Sequence, residues 1–188
     1  NILIKNEDRA EELHKILYKC PHCGSEEHMD SKGTKIFCTK CNHSWNLNED
    51  GSLSCFEDQT KFTSITSWFE WEREEVRKEI IRGTYSFYDD VEVFSLPNPN
   101  KFIALGKGKI SHTIEEGFVL DGYYRGQEYK ITRTPVQMEA LHVEYDYFRI
   151  RRADCFVINT EDDSFFVYPT KKNIITKLAF ATEEMFLL

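Results

Sequence analysis

Apolar positions recur along this chain with two different periods, and the change of period divides it. Between Asn6 and Lys19, Ala10, Leu13, Ile16 and Leu17 fall on one helical face behind Asp8 as N-cap, which predicts a packing or linker helix over residues 1–19. The polar stretch Asn46–Thr60 reads as a loop with short strands. Residues 64–82 carry the strongest helical signal. Ser67 and Glu70 have capping-box spacing, and Trp68, Trp71 or Glu72, Glu75 and Val76 run around a mixed face. Glu74 and Lys78 attract at helical spacing, Glu75 and Glu79 repel, and Gly83 sits where the helix should stop. The Trp68, Phe69, Trp71 cluster is expected to dock this helix on a neighbouring domain.

From Val91 the period shortens to two. Strand-like runs occupy Val91–Leu96, Phe102–Leu105, Lys109–Ile114, Phe118–Asp121 and Tyr129–Thr134, then His142–Ile150, Cys155–Asn159 and Phe165–Tyr168. Turn chemistry separates them at Pro97–Asn100, Gly106-Lys107-Gly108, Glu116-Gly117, Asp121-Gly122 and Glu161-Asp162-Asp163. Lys171–Leu188 closes the chain with a helical stripe of Ile174, Ile175, Leu178, Ala181 and Met185. Many short strands at this spacing predict an antiparallel sandwich or barrel. With one terminal helix, the layout is that of a pleckstrin-homology-like barrel, although other small barrels fit the same pattern.

Composition narrows the function classes. The chain has 188 residues, 40% apolar and 30% charged, enough to bury a core. No stretch approaches the roughly 20 apolar residues of a membrane span, and Asn1–Ile4 is too short an apolar run for a signal peptide. The chain opens on Asn1 rather than Met, so a fragment of a longer protein is expected. The net charge of −8 argues against broad binding of a phosphate backbone. Most of the excess lies in 57–95, where ten acids meet five bases, while 19–46 carries four Lys against three acids. A reducing, cytoplasmic setting is expected for the six cysteines, with membrane-peripheral placement as an extension of that reading.

Four of those cysteines form two Cys-x-x-Cys pairs, Cys20/Cys23 and Cys38/Cys41. Such a turn places two thiolates on one ion, and four thiolates complete a tetrahedral zinc shell with no position left for water. Pro21 fixes the entry to the first turn and Gly24 permits a positive φ after it; Asn42 holds the matching place in the second. The fourteen residues between the pairs suit a hairpin with Gly33 near its tip, and Trp45 is placed to cover the site. A redox motif comes singly within a βαβ pattern, so a structural zinc is the expected cofactor. His22, His28 and His43 lie near enough to substitute as ligands, but the four cysteines suffice. Cys55 and Cys155 read as ordinary buried thiols.

The ribbon Tyr18–Gly24, its return Ile36–Cys41 and Trp45 are generic, but Phe62–Arg73 running into Val76–Ile80 narrows the field. Together with Leu178–Glu184, this stretch resembles the tail of some bacterial 1-acyl-sn-glycerol-3-phosphate acyltransferases, in which a zinc-ribbon and β-rich extension follows the catalytic domain. The family's catalytic signature is a His followed five positions later by Asp. Here His14, His22, His28, His43, His112 and His142 are followed by Lys19, Glu27, Gly33, Asn48, Gly117 and Tyr147. No catalytic residue is carried over. The resemblance implies the non-catalytic C-terminal part of such an enzyme, with the upstream acyltransferase domain as its partner.

The expected organisation is therefore α+β: linker helix 1–19, zinc ribbon 20–60, connecting helix 61–84, and pleckstrin-homology-like β domain 85–188 with its C-terminal helix. The expected function is that of an accessory, regulatory region of a phospholipid-synthesis acyltransferase. It would position the catalytic domain through protein contacts or through anionic headgroups met by Lys107, Lys109, Arg149, Arg151 and Arg152. The bland reading of those five is solvated strand and turn charge. Two alternatives are a zinc-ribbon nucleic-acid binder, using Lys32, Lys35 and Lys40 with Phe37 and Trp45, and a stand-alone protein-interaction module that docks a partner through the acidic 57–95 segment. No sequence spacing places a base beside a nucleophile, so this chain is not expected to be an enzyme by itself.

Overall fold

A computed structural model describes residues 3–55, 61–97 and 101–188. The end of the expected 46–60 loop, the Asn98–Asn100 part of the expected turn and the first two residues lie outside that description. The fold is α+β with two antiparallel sheets and two α-helices among the described residues, and it divides into two compact units, Asn1–Glu75 and Val76–Leu188.

The first unit is built on β1 (Met29–Lys32), β2 (Lys35–Cys38), β3 (Ser44–Leu47) and β4 (Leu53–Cys55), paired in that order. Gly33 turns β1 into β2 at φ 62°, the hairpin its position predicts. The expected linker helix does not form. Residues 7–12 make hydrogen-bonded turns, and only Leu13–Lys15 coils, as a single 3-10 turn. The reason is tertiary. The Ala10 amide donates to Gly33 O at 2.8 Å, the Glu11 carboxylate accepts the Gly33 amide at 2.7 Å, and Arg9 Nε donates to Leu47 O at 2.6 Å. Glu12 adopts a left-handed φ of 63°, which ends any α-helical path. The segment is thereby strapped across the β1–β2 tip instead of coiling.

Helix α1 (Ile65–Ile81) matches its expected span, but Ser64 rather than Ser67 caps it: Ser64 Oγ accepts the Ser67 amide at 3.2 Å. At the other end Gly83, φ 67°, closes a Schellman motif. Its amide donates to Ile80 O at 2.9 Å, and that of Thr84 donates to Glu79 O at the same distance. The helix begins in the first unit and ends in the second.

The second unit is one seven-stranded sheet. Strands β5 (Ser86–Ser95), β6 (Ile103–Thr113), β7 (Gly117–Tyr124) and β8 (Gln127–Arg133) form one meander; β9 (His142–Tyr147), β10 (Ala153–Asn159) and β11 (Ser164–Pro169) form another. They join through β5 and β11, giving the order β8-β7-β6-β5-β11-β10-β9. Two expected turns lie inside strands. Gly106 supports a bulge in β6 at φ 93°, so the runs 102–105 and 109–114 merge into one strand. Gly122 sits in β7 because the Tyr129 ring crosses it: a Cβ there would lie 2.6 Å from the phenol oxygen.

β8 and β9 are the two edges, so the sheet is not closed into the expected barrel. It is nevertheless curled, since Arg133 Nε at the end of β8 donates to Asn159 O at the end of β10, at 2.8 Å. Helix α2 (Ile175–Phe186) packs on β9 and β10 with Ile175, Leu178, Ala181 and Met185 buried, as its stripe predicts. Phe118, Leu120, Phe156, Ile158 and Val167 are buried with it. His112 is buried among them, stacked on Phe118 at 3.7 Å and bonded through Nδ1 to the Tyr85 hydroxyl at 2.9 Å.

Candidate metal centre

Each Cys-x-x-Cys pair is built the same way, and backbone bonds show the repeat. In the first, the Gly24 amide donates to Cys20 O at 2.9 Å and the Cys20 amide to Ser25 O at 2.8 Å. In the second, the Asn42 amide donates to Cys38 O at 2.8 Å and the Cys38 amide to His43 O at 2.9 Å. Gly24 and Asn42 both have positive φ, 71° and 60°. Two residue types tolerant of that geometry thus close two equivalent knuckles.

The knuckles face each other. The Sγ atoms of Cys20, Cys23, Cys38 and Cys41 all lie within 4.8 Å of one another, with Cys20–Cys41 and Cys23–Cys38 both at 3.7 Å. A disulfide needs about 2.05 Å, and none of the six thiols is bridged. A tetrahedral ion held at about 2.3 Å from each sulfur requires sulfurs about 3.8 Å apart, so the set is close enough to bind one metal ion and is compatible with zinc. This is the cluster that the spacing predicts.

Burial raises the thiol pKa of Cys20, against the backbone amides of Cys23 and His22, and burial likewise raises that of Cys41. Cys23 is desolvated too, yet the Ser25 amide and the neighbouring thiols hold its thiol below the usual range. Protons and metal compete for these sulfurs, so acid weakens binding.

Around the thiols lies a small apolar shell. Cys20 and Cys38 are buried with Leu17, Ile36, Trp45, Leu47, Leu53 and Trp68 in one cluster. His22 stacks on His43 at 4.3 Å, His43 lies 5.1 Å from Trp45, and Trp45 meets Trp68 edge-on at 4.8 Å. The predicted Trp45 cover is therefore present, and Trp68 docks α1 on the cysteine unit. Trp45 is 3% exposed, which removes it as a base-stacking surface for nucleic acid.

Sequence reasoning missed how α1 holds the first knuckle. Trp68 Nε1 donates to the Lys19 carbonyl at 3.0 Å, and Glu72 Oε1 accepts the Lys19 amide at 2.7 Å. Glu72 is fully buried, and burial raises its pKa well above the carboxylate range, against the Lys19 amide that lowers it. A glutamate four residues from a tryptophan, on the face otherwise filled by Trp68 and Val76, was the available signal.

Tertiary contact also brings bases beside nucleophiles where spacing did not. His14 Nδ1 lies 2.8 Å from Ser31 Oγ, and His43 Nε2 lies 3.3 Å from Cys55 Sγ. Ser31 is buried, and the pair ties residue 14 to β1. Cys55 is half-buried rather than a core thiol, whereas Cys155 is fully buried and burial pushes its thiol pKa up to about 11.

The five cations considered for headgroups stand among carboxylates and aromatic rings. Lys107 and Arg151 line one hollow of about 590 Å3 together with Asp90, Glu92 and Tyr168. Arg151 pairs with Glu92 and lies 4.4 Å over the Tyr168 ring. Lys107 stands opposite Glu92 across β5 and β6, and Lys109 stands between Asp90 and Asp121. Arg149 lies 5.9 Å over Phe102, and Arg152 pairs with Asp146 at 3.2 Å.

No helix among the described residues is long and apolar enough to cross a membrane. Comparison with models of known protein families, with curated proteins and with solved structures yields no match.

Proposed function

We propose that Cys20, Cys23, Cys38 and Cys41 hold one structural zinc ion, and that the chain is a non-catalytic accessory module. The observation that carries this reading is the closed set of four sulfurs within 4.8 Å. Bound zinc supplies a cross-link between two knuckles, and its binding free energy acts as folding free energy. With four thiolates in place no coordination position remains for water, so the centre suits structure rather than hydrolysis.

The module's proposed setting is the C-terminal part of a phospholipid-synthesis acyltransferase, where it positions the catalytic domain. The order of ribbon, tryptophan helix, antiparallel sheet and closing helix is the order the resemblance implies. Two meanders joined through their first and last strands, curled by the Arg133–Asn159 bond and followed by α2, support a pleckstrin-homology-like lineage for the second unit. Protein contact is favoured over lipid headgroups. Lys107, Lys109, Arg151 and Arg152 each stand beside a carboxylate, and such a surface has little net pull on an anionic bilayer.

Elemental analysis of the chain purified without added metal tests the first statement. About one zinc per chain is expected, and a metal-free folded chain overturns it. Acyl-CoA and lysophosphatidic acid tests the second: the chain alone should transfer no acyl group, and turnover overturns the non-catalytic reading. Sedimentation with anionic vesicles closes the question of partner. Equal recovery of the wild type and a Lys107→Glu/Lys109→Glu variant is expected, and loss in the variant alone restores the headgroup contact.

A further inference from the structure

Between the two knuckles there is an asymmetry. The second leads directly into β3, where Trp45 and Asn46 are held by the sheet. The first is entered from residues 16–19, which belong to no strand and no helix. Leu17 and Tyr18 are buried there, but a chain held by no strand or helix depends on other contacts for its order, and any ordering left to the moment of binding weakens metal affinity.

The backbone of Lys19, immediately before Cys20, is held at both of its polar groups. Trp68 Nε1 donates to its carbonyl at 3.0 Å, and Glu72 Oε1 accepts its amide at 2.7 Å. Both grips come from one face of α1, one turn apart. The ends that make them are buried: Trp68 and Glu72 are both 0% exposed. Burying a carboxyl is costly, and the second carboxyl oxygen, Glu72 Oε2, has no hydrogen-bond partner among the described residues. Glutamine would satisfy the same amide without an ionisable group. What the carboxyl does here is fix a backbone amide one residue from a metal-ligating sulfur.

We propose that Glu72 and Trp68 are positioning residues for the metal centre: by clamping the Lys19 backbone at its N–H and its carbonyl they set the geometry of Cys20 and hence the affinity of the site for its ion. This rests on the metal reading above. Metal-site partners that act one bond beyond the ligands are commonly worth about 10- to 100-fold in affinity. The groups facing Glu72 are the Lys19 amide and ammonium, Glu26 and the Trp68 indole. Lys19 Nζ lies 3.2 Å from Glu26 and 3.9 Å from Glu75, so the ammonium is turned toward those carboxylates as well.

The test uses the whole chain, stripped of metal under reducing conditions and titrated with zinc against a chromophoric chelator. Cobalt titration in parallel gives the visible absorption of a tetrahedral thiolate site. Trp68→Phe keeps a ring and loses the N–H donor; Glu72→Ala loses the acceptor; Glu72→Gln keeps it. Trp71→Phe controls for a general loosening of α1. Trp68→Phe and Glu72→Ala should bind zinc about 10- to 100-fold more weakly, with altered cobalt band intensities, whereas Glu72→Gln and Trp71→Phe should stay within about twofold of wild type. Equal affinity of Glu72→Ala, Trp68→Phe and wild type overturns the clamp, as does a Glu72→Gln variant as weak as Glu72→Ala. A wild-type chain that takes up neither zinc nor cobalt overturns the metal reading itself, and the two failures are thus distinct.

Discussion

The two units solve the same problem by opposite means. Among the described residues up to Glu75, four strands of three or four residues each form a sheet, and one cluster of ten buried residues packs there, two of them proposed metal ligands. Residues from Val76 onward form a sheet whose strands reach eleven residues, with an interior of Phe118, Leu120, Phe156, Ile158 and α2. A unit of the first size buries a smaller share of its apolar surface against its chain entropy, and small folds of that kind often draw on metals or disulfides. The second has enough sheet and helix to hold itself together. The comparison teaches that metal dependence should stop at the boundary between them.

Loss of the proposed ion is therefore the largest perturbation expected. Cys38→Ser, or a strong chelator, should unfold the first unit, since zinc binding in small thiolate modules is on the order of 10–16 kcal/mol of folding free energy. Amide exchange in residues 20–55 should then become fast while that of β5, β6 and β10 stays slow. Collapse of protection in both units together breaks the comparison.

A second test perturbs only the larger unit. Burial lowers the pKa of His112 to about 3, so its ring is neutral in the folded protein at pH values where the unfolded chain carries it protonated. The folded pKa is depressed below the ordinary His value of about 6.5, so the unfolded state binds the extra proton between them. Stability of the second unit should fall as pH drops from about 6.5 toward 3, by roughly 1.4 kcal/mol per pH unit at most from this group. His112→Phe should flatten that slope in denaturant titrations at several pH values, and an unchanged slope counts against the assignment.

The smallest effect concerns the outer face of the same sheet. Lys109 stands opposite Asp90 and Asp121, and Asp121 opposite Lys130, so charges alternate across four strands. Lys109→Glu puts like charges side by side and should cost about 0.2–1 kcal/mol, less at high salt. A loss of several kcal/mol would mean that this face is a buried interface rather than a solvated ladder.

Legibility in the sequence followed the range of the forces involved. The Cys-x-x-Cys turns, Gly24 and Asn42 with positive φ, the Gly33 hairpin and the Gly83 stop are local devices, each contained within about six residues, and each stands where it was read. Helix 1–19 failed because Ala10, Glu11 and Arg9 spend their hydrogen bonds on Gly33 and Leu47, residues more than twenty positions away. Gly106 and Gly122 carry a turn signal because glycine marks both a turn and a close approach, and only the position of β5 or of Tyr129 tells them apart.

By itself, the sequence determined that two Cys-x-x-Cys turns form, that a long helix follows, and that an antiparallel, strand-rich region ends in a helix. Those features rest on residue type and spacing, which act over a few bonds. Only the tertiary structure decided that the sheet of the second unit is open, that Lys107 and Lys109 stand against acids, and that Trp68 and Glu72 grip the backbone of Lys19 before Cys20. Each of these depends on which distant segments pack together. A hydrogen bond across some fifty residues leaves no period in the chain, and the partner of a buried carboxyl becomes visible only when the fold has brought it there.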